Sequence, residues 1–246
     1  MTPPEIENIE DLLVVNAILN PKDSVYDVEV TLSNPSFGLL PQFDDEYVRD
    51  AEVTITNGSS LGTFVYNENW RTYRLNSSDF PLLDGEIYQL TVRAGGREAV
   101  GDYNTVHQVA TVESFQIRDD LSLQVQWQDI AGTKDYYSIQ AFLEREEVDF
   151  INRIPYFFDS GFISDGNRDG TILREVGEGF DGTRSGDSLS ITIYRFNELY
   201  VDYFRVLENY VGDDPFSEPT QLPSNINGGL GIFAIVQQSD FKVRVD

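Results

Sequence analysis

The chain has 246 residues and a formal net charge of -25, from 42 acidic and 17 basic side chains. This charge makes association with nucleic acid phosphates or anionic lipid headgroups unfavourable at long range. The absence of cysteine excludes disulfides, thiolate catalysis and Cys-ligated metal sites.

The first part of the chain predicts a series of short β-strands. Aromatic residues make up 13% of the chain and methionine occurs once, and rigid side chains of this kind suit pleated sheets. Apolar residues alternate between turn signals such as Asn57-Gly58 and Asp84-Gly85. The predicted strands are 13–19, 25–32, 48–56, 62–66, 72–75, 87–93 and 98–101. We interpret residues 1–106 as an N-terminal β-sandwich.

A second β-rich domain is predicted for residues 107–246. Apolar alternation resumes there in four strands, at residues 109–116, 121–127, 136–144 and 189–194. Two further stretches lie between the third and the fourth of these strands. They are the aromatic-rich residues 151–162, in which the residues after Pro155 are interpreted as a loop, and the Gly- and Asp-rich residues 164–187.

One amphipathic helix is predicted at residues 198–211, capped by Asn197 and stopped by Gly212. Its apolar face consists of residues spaced at helical intervals, namely Leu199, Tyr203, Val206, Leu207 and Tyr210. We expect this face to pack against a sheet. The predicted fold class is therefore all-β with one C-terminal amphipathic helix.

The order of several motifs along the chain carries a family resemblance. The motifs are LLVVNAIL, RDAEVTITNG, DGEIYQLTVRAGG and the C-terminal run GDSLSITIYRFNELYVDYFRVLENYVGDDPFSEPTQLPSNINGGLGIFA. Together they span nearly the whole chain. In this order the sequence resembles the Bacteroidota outer-membrane lipoprotein family called domain of unknown function 4249.

This resemblance implies a fold, a location and a partner. The N-terminal sandwich would be Ig-like or carboxypeptidase-regulatory-like, and the protein would be lipid-anchored at the cell surface. Family members are often encoded beside TonB-dependent transporters, so such a transporter is the implied partner. The family brings no catalytic residues. The lipidated cysteine is missing from this sequence and would have to lie upstream of Thr2.

One segment predicts a calcium loop. Asp165, Asn167 and Asp169, followed by Gly170, match the opening of a loop in which alternate oxygen ligands converge on calcium. The twelfth position is Val176 rather than a bidentate glutamate. Glu175 or Glu178 would then have to supply the missing carboxylate. The alternative interpretation is a plain β-turn rich in Asp and Gly.

The remaining polar residues give no catalytic constellation. His107 is the only histidine, and no G-x-S-x-G nucleophile elbow accompanies it. Paired carboxylates can hydrolyse glycosides, and an acidic run contains Glu144, Glu146, Glu147 and Asp149. Spacing in sequence does not give separation in space, so we interpret this run as a solvated loop. We expect no enzyme activity.

Four aromatic residues are candidates for an interaction surface. Trp70 lies in a polar loop, Tyr156 and Phe157 follow Pro155, and Phe216 lies in the Pro-rich segment near the C-terminus. Exposed rings of this kind form binding platforms. The alternative for each is a place in the core, because alternating strands also need aromatic side chains.

Three functional hypotheses follow. The first is a non-enzymatic surface lipoprotein that docks on a TonB-dependent transporter or another outer-membrane protein complex. The second is a free-standing carbohydrate- or peptide-binding β module, with calcium as a possible cofactor. The third, which the sequence favours least, is a hydrolase that uses acidic residues.

Overall fold

The computed structural model describes residues 12–33, 46–105, 110–179, 181–209 and 222–245. The chain divides into two compact units. The first unit comprises Met1–Leu19, Asp23–Thr105 and Asn209–Ile235. The second unit comprises Asn20–Lys22, Val106–Glu208 and Val236–Asp246. The described residues 222–235, which fall in the predicted second domain, therefore belong to the first unit.

The described residues form seventeen strands and one helix. In chain order the elements are β1 (Leu13–Leu19), β2 (Val25–Leu32), β3 (Glu52–Thr56), β4 (Leu61–Asn67), β5 (Thr72–Asn76), β6 (Ile87–Ala94), β7 (Arg97–Asn104), β8 (Thr111–Ile117), β9 (Leu123–Gln128), β10 (Tyr136–Glu146), β11 (Ile151–Tyr156), β12 (Ile163–Ser164), β13 (Ile172–Gly177), β14 (Ser188–Phe196), α1 (Glu198–Glu208), β15 (Ile226–Asn227), β16 (Gly229–Ile235) and β17 (Gln237–Arg244). The predicted β-rich fold with one helix is confirmed.

The strands of the first unit form one nearly closed, nine-stranded sheet in the order β15-β7-β6-β3-β4-β5-β2-β1-β16. Only Gly228 separates β15 from β16, so the two edges of the sheet meet. The Asn225 amide nitrogen bridges them, because it donates to the carbonyls of Asp102 and Phe233. This single sheet replaces the predicted N-terminal sandwich. Sandwiches and barrels both bury one face of each strand, so alternation alone does not separate them.

Local sequence explains the hairpins of this sheet. In β2, Tyr26, Val28 and Val30 point inward and are almost fully buried. Between β3 and β4, Gly58 adopts φ 83°, which glycine reaches without steric cost. The side-chain oxygen of Asn57 accepts the amides of the next two serines at 3.2 and 2.9 Å. The predicted Asn-Gly hairpin is confirmed.

The second unit places two sheets around one core. One sheet has the order β11-β10-β14-β17, with β12 also paired to β10, and the other has the order β13-β9-β8. Trp127 from the smaller sheet contacts Tyr137 from the larger one, with ring centroids 5.6 Å apart. Residues 151–187, for which the sequence analysis predicts no strand, form β11, β12 and β13. The prediction of a loop after Pro155 is wrong for Tyr156. Pro155 and Tyr156 belong to β11, and an edge strand such as β11 tolerates proline.

Helix α1 begins after Asn197, whose side-chain oxygen accepts the amide of Tyr200 at 2.9 Å. This confirms the predicted N-cap. The helix buries Val201 and Tyr203. Leu207, assigned to the apolar face, is 40% exposed. Tyr210, Val211 and Gly212 lie outside the described residues. No helix in the described part of the chain is long and apolar enough to span a bilayer.

Candidate functional site

Three aspartates of the second unit bring their carboxylates together. Asp129 directly follows β9, Asp165 directly follows β12, and Asp169 lies in the turn before β13. One oxygen from each lies within 4.8 Å of the others. We call these three residues the aspartate cluster.

Backbone hydrogen bonds fix the loop that carries the cluster. The amide of Arg168 donates to the Asp165 carbonyl at 2.8 Å, so the loop turns back on itself. The amide of Asp129 donates to the Thr171 carbonyl at 3.0 Å. The amide of Gly170 donates to Asp129 Oδ2 at 2.7 Å. These bonds hold the two loop aspartates against the end of β9.

The cluster concentrates negative charge in a partly buried place. Asp129 is 3% exposed and Asp165 is 1% exposed, whereas Asp169 is exposed. Among the described residues, no Lys or Arg side chain forms an ion pair with any of the three. The nearby buried Asp135, in contrast, pairs with Arg195 at 2.6 Å. Buried carboxylates without a cationic partner are costly unless hydrogen bonds compensate them. Asp129 accepts hydrogen bonds from Tyr137 and Gly170, and Asp165 accepts one from the Asp135 amide at 3.1 Å. A bound cation would neutralise the charge that remains.

One hydrogen bond orients the Asp129 carboxylate. The Tyr137 hydroxyl donates to Asp129 Oδ1 at 2.6 Å. Burial, together with this bond to the neighbouring carboxylate, raises the pKa of Tyr137 far above its usual range. Tyr137 therefore remains a neutral donor at all ordinary pH values. Each Asp129 oxygen retains a lone pair, since a carboxylate oxygen accepts two hydrogen bonds.

The cluster dimensions suit calcium. Two oxygens bound to one calcium ion at about 2.3 to 2.6 Å each lie no more than about 4.6 to 5.2 Å apart. The structure brings together two of the three predicted ligands, Asp165 and Asp169. Asn167 is exposed on the same loop. Glu175, offered as a further ligand, accepts the Ser160 hydroxyl instead. Asp129 joins the cluster from a distant segment that the loop motif does not reveal. The calcium loop stays a prediction.

A second polar cluster of the same unit surrounds Arg145, and no local pattern in the sequence indicates it. The guanidinium donates to both carboxylate oxygens of Asp187 at 3.0 and 2.9 Å, and to Asp181 Oδ2 at 2.7 Å. A fourth bond reaches the Gly182 carbonyl at 2.9 Å. The hydrogen bonds from Arg145 hold the pKa of Asp187 and of Asp181 below the usual range. Every guanidinium nitrogen has a partner, so this arginine is structural.

A comparison with protein families identifies the chain. The family model described as Domain of unknown function (DUF4249) matches residues 2–242. The chain belongs to this family. No curated protein matches the chain. Nearly the whole chain is therefore related to this family, but the family description names no activity.

The aromatic residues predicted to form an interaction surface differ in how far their side chains are exposed. Trp70 is 66% exposed, as such a surface requires, and Phe157 is 52% exposed. Tyr156 is 6% exposed, and its ring belongs to the core of the second unit. It is buried because it is the last residue of β11, where alternation turns its side chain inward. Phe216 lies outside the described residues.

The acidic run spans the end of β10 and the following turn, so the predicted solvated loop is wrong for Glu144, which lies within the strand. Glu144 is paired with Lys242 at 2.6 Å and with Arg153 at 3.3 Å. The bond from Lys242 lowers the pKa of Glu144. Glu146, Glu147 and Asp149 are exposed where β10 ends and turns. His107 lies outside the described residues.

Calcium should stabilise the protein if the aspartate cluster binds it. We expect EDTA to lower the melting temperature and millimolar calcium to restore it, because a ligand of the native state stabilises by mass action. A calcium concentration one hundred times the dissociation constant stabilises the native state by about 2.7 kcal/mol. Differential scanning fluorimetry with and without EDTA measures the effect.

The matched variants are Asp169→Ala, which removes one carboxylate ligand from the cluster, and Asp159→Ala, which removes an exposed carboxylate outside it. The calcium response should disappear in the first variant and persist in the second. An identical melting temperature for the unsubstituted protein in EDTA and in calcium would contradict the calcium loop and favour a plain turn.

Proposed function

We propose that the chain is a non-enzymatic accessory lipoprotein of the outer membrane that docks on a TonB-dependent transporter or another outer-membrane protein complex at the cell surface. The family resemblance suggests the location and the kind of partner. One structural observation supports docking, namely an exposed and rigidly held tryptophan on the first unit. We define the Trp70 surface as Asp27, Val65, Trp70, Thr72 and Arg74.

The turn between β4 and β5 presents Trp70 in a fixed position. The side-chain oxygen of Asn67 accepts the amides of Asn69 and Trp70 at 3.1 and 3.3 Å. Arg71 adopts φ 55°, a conformation that costs a non-glycine residue energy. A strained residue in a tightly bonded turn indicates that the position of the neighbouring indole is specified.

Arg74 holds the indole from the adjacent strand. Its guanidinium lies 5.2 Å from the Trp70 ring centroid. Asp27 fixes that guanidinium through Arg74 Nε at 2.8 Å, and it also accepts the Thr72 hydroxyl at 2.8 Å. Val65, directly opposite Arg74 across the ladder, is 70% exposed. The Trp70 surface is thus organised before any partner binds.

These residue types are those that dominate binding energy at protein interfaces. Trp and Arg are enriched among hot-spot residues, and a prearranged side chain loses little entropy on binding. An exposed indole beside an exposed valine is also costly to leave in water. The Trp70 surface therefore suits a protein partner.

Substitution Trp70→Ala should remove the partner. The tagged full-length protein, purified from its native outer membrane in mild detergent, should carry a stoichiometric outer-membrane β-barrel protein identified by mass spectrometry. Losing a hot-spot tryptophan costs about 2 kcal/mol or more, which weakens affinity by about thirtyfold. We expect recovery of the partner to fall accordingly.

Leu61→Ala is the matched control, because Leu61 is 67% exposed on β4 of the same unit but lies outside the Trp70 surface. Partner recovery should be unchanged in this variant. Equal recovery with Trp70→Ala and with Leu61→Ala would rule out the Trp70 surface. Purification of the protein alone would contradict docking itself.

The second candidate is a free-standing binding module for a carbohydrate or a peptide. The exposed indole of Trp70 favours it, since sugar rings and peptide side chains both pack on such platforms. Saturable ligand binding by the isolated protein, lost in Trp70→Ala, would support this candidate over docking.

A further inference from the structure

The turn that joins β10 to β11 exposes large apolar side chains. Val148 is 98% exposed, Phe150 is 64% exposed and Ile151 is 58% exposed. We call residues 146–151 the β10–β11 tip. Scattered apolar residues are ordinary on protein surfaces, but three of them within four positions form a patch that is costly to hydrate.

The β10–β11 tip is a defined hairpin end. Glu146 pairs with Ile151 across the ladder, and the amide of Glu147 donates to the Phe150 carbonyl at 2.9 Å. Behind the tip, the Arg145 guanidinium is buried and saturated with hydrogen bonds. The tip therefore presents Val148 and Phe150 from an anchored base, so little conformational entropy is lost when they are covered.

Acidic side chains surround the apolar ones. Glu146, Glu147 and Asp149 belong to the tip, and among the described residues none of them forms an ion pair. Glu146 and Glu147 line an open cleft of about 320 Å³ together with Arg184 and Arg244, and neither glutamate forms an ion pair with either of these arginines. Three carboxylates thus remain free to meet positive charge on a partner.

The negative charge of the β10–β11 tip favours one kind of binding partner. A second copy of the chain also carries a formal charge of -25 and is repelled at long range. Anionic lipid headgroups are repelled by the same acidic residues. A protein pocket that is apolar at its centre and basic at its rim complements the tip in both respects.

We propose that the β10–β11 tip inserts Val148 and Phe150 into an apolar pocket of a protein partner whose rim carries Lys or Arg side chains. This surface lies on the second unit and is distinct from the Trp70 surface of the first unit. The proposal holds whether or not the partner is a transporter.

Photocrosslinking from the tip tests the proposal. The full-length protein with Val148→p-benzoylphenylalanine is expressed in its native cells, irradiated and purified, and the crosslinked residues are located by mass spectrometry. The expected adduct joins Val148 to an apolar segment of another protein that is flanked by Lys or Arg. A control variant, Glu113→p-benzoylphenylalanine, places the same group at an exposed position on β8 and should give no such adduct.

Charge reversal supplies the second measurement. In the photocrosslinking background, Glu147→Lys with Asp149→Lys should lower the adduct yield by about tenfold, because like charges then face each other at the rim. The matched change Glu113→Lys should leave the yield unaltered. Adducts with lipid, adducts with a second copy of this chain, an acidic contact site or the absence of any adduct would each overturn the proposal.

Discussion

Replacing Arg145 with methionine should destabilise the second unit by about 3 to 5 kcal/mol, the usual cost of removing one partner from a buried ion pair. The Arg145 side chain is 7% exposed and its partner Asp187 is 3% exposed. Methionine fills a similar volume but leaves the Asp187 carboxylate buried without its cation. Denaturant unfolding followed by tryptophan fluorescence measures the loss.

The protein contains two tryptophans, and this simplifies the measurement. Trp127 is fully buried in the second unit, whereas Trp70 is exposed in the first. In a Trp70→Phe background the emission reports Trp127 alone and therefore follows the second unit. The shift of the unfolding midpoint at constant slope gives the change in free energy.

Arg153→Met is the matched control. Arg153 is 55% exposed and pairs with Glu144 at 3.3 Å, so its loss should cost less than about 1 kcal/mol. Adding Asp187→Asn to Arg145→Met should cost little more, because the ion pair is already broken. If Arg145→Met lowered the free energy of unfolding no more than Arg153→Met does, the buried network would not stabilise the second unit.

The same network predicts an acid response. The pKa of Asp187 is lowered in the folded state, so its stabilisation is present above the ordinary carboxyl pKa of about 3.9 and is lost as the pH falls through the folded value. In Arg145→Met the buried carboxyl is instead easier to protonate. The stability difference between the two proteins should therefore begin to shrink above about pH 4, where the variant takes up a proton, and continue to shrink until the pH reaches the lowered pKa of Asp187 in the unsubstituted protein.

Local patterns in the sequence predicted those features that depend on neighbouring residues. The Asn57-Gly58 turn, the Asn197 cap and the alternating strand β2 each follow from a few consecutive side chains. Asp165 and Asp169 were paired by the same local logic, and the structure places both in one cluster. Features of this kind can be predicted from the sequence because they depend on the backbone conformation of a single segment.

Contacts between segments that are distant in the sequence could not be predicted from local patterns. Asp129 reaches the Asp169 turn only because β9 pairs with β13, and Asp187 reaches Arg145 only because β14 pairs with β10. The closing strand β16 returns to the first unit from beyond the helix. Alternation reports which face of a strand is buried but not which strand lies beside it. Tyr156 was misplaced for a related reason, since Pro155 suggested a loop where the structure has an edge strand.

Closure of the first unit rests on a position where only glycine fits, and Gly231→Ala should destabilise that unit by about 2 to 6 kcal/mol. Gly231 lies opposite Val15 in the parallel pair of β1 and β16. Its φ is 107°, which strains any other residue by about 1 to 3 kcal/mol. An added Cβ would also lie 2.1 Å from the Val15 carbonyl oxygen, and relieving such a clash costs about 1 to 3 kcal/mol more.

Gly58→Ala separates the two contributions. Gly58 has φ 83°, but an added Cβ there meets no atom within 4 Å, so this variant carries backbone strain without a clash. Native-state hydrogen exchange of the β1 and β16 amides should show faster opening in Gly231→Ala than in Gly58→Ala. Equal protection of these amides in the two variants would mean that β1 tolerates displacement. In that case the contact between β1 and β16 would not be what keeps the nine-stranded sheet nearly closed.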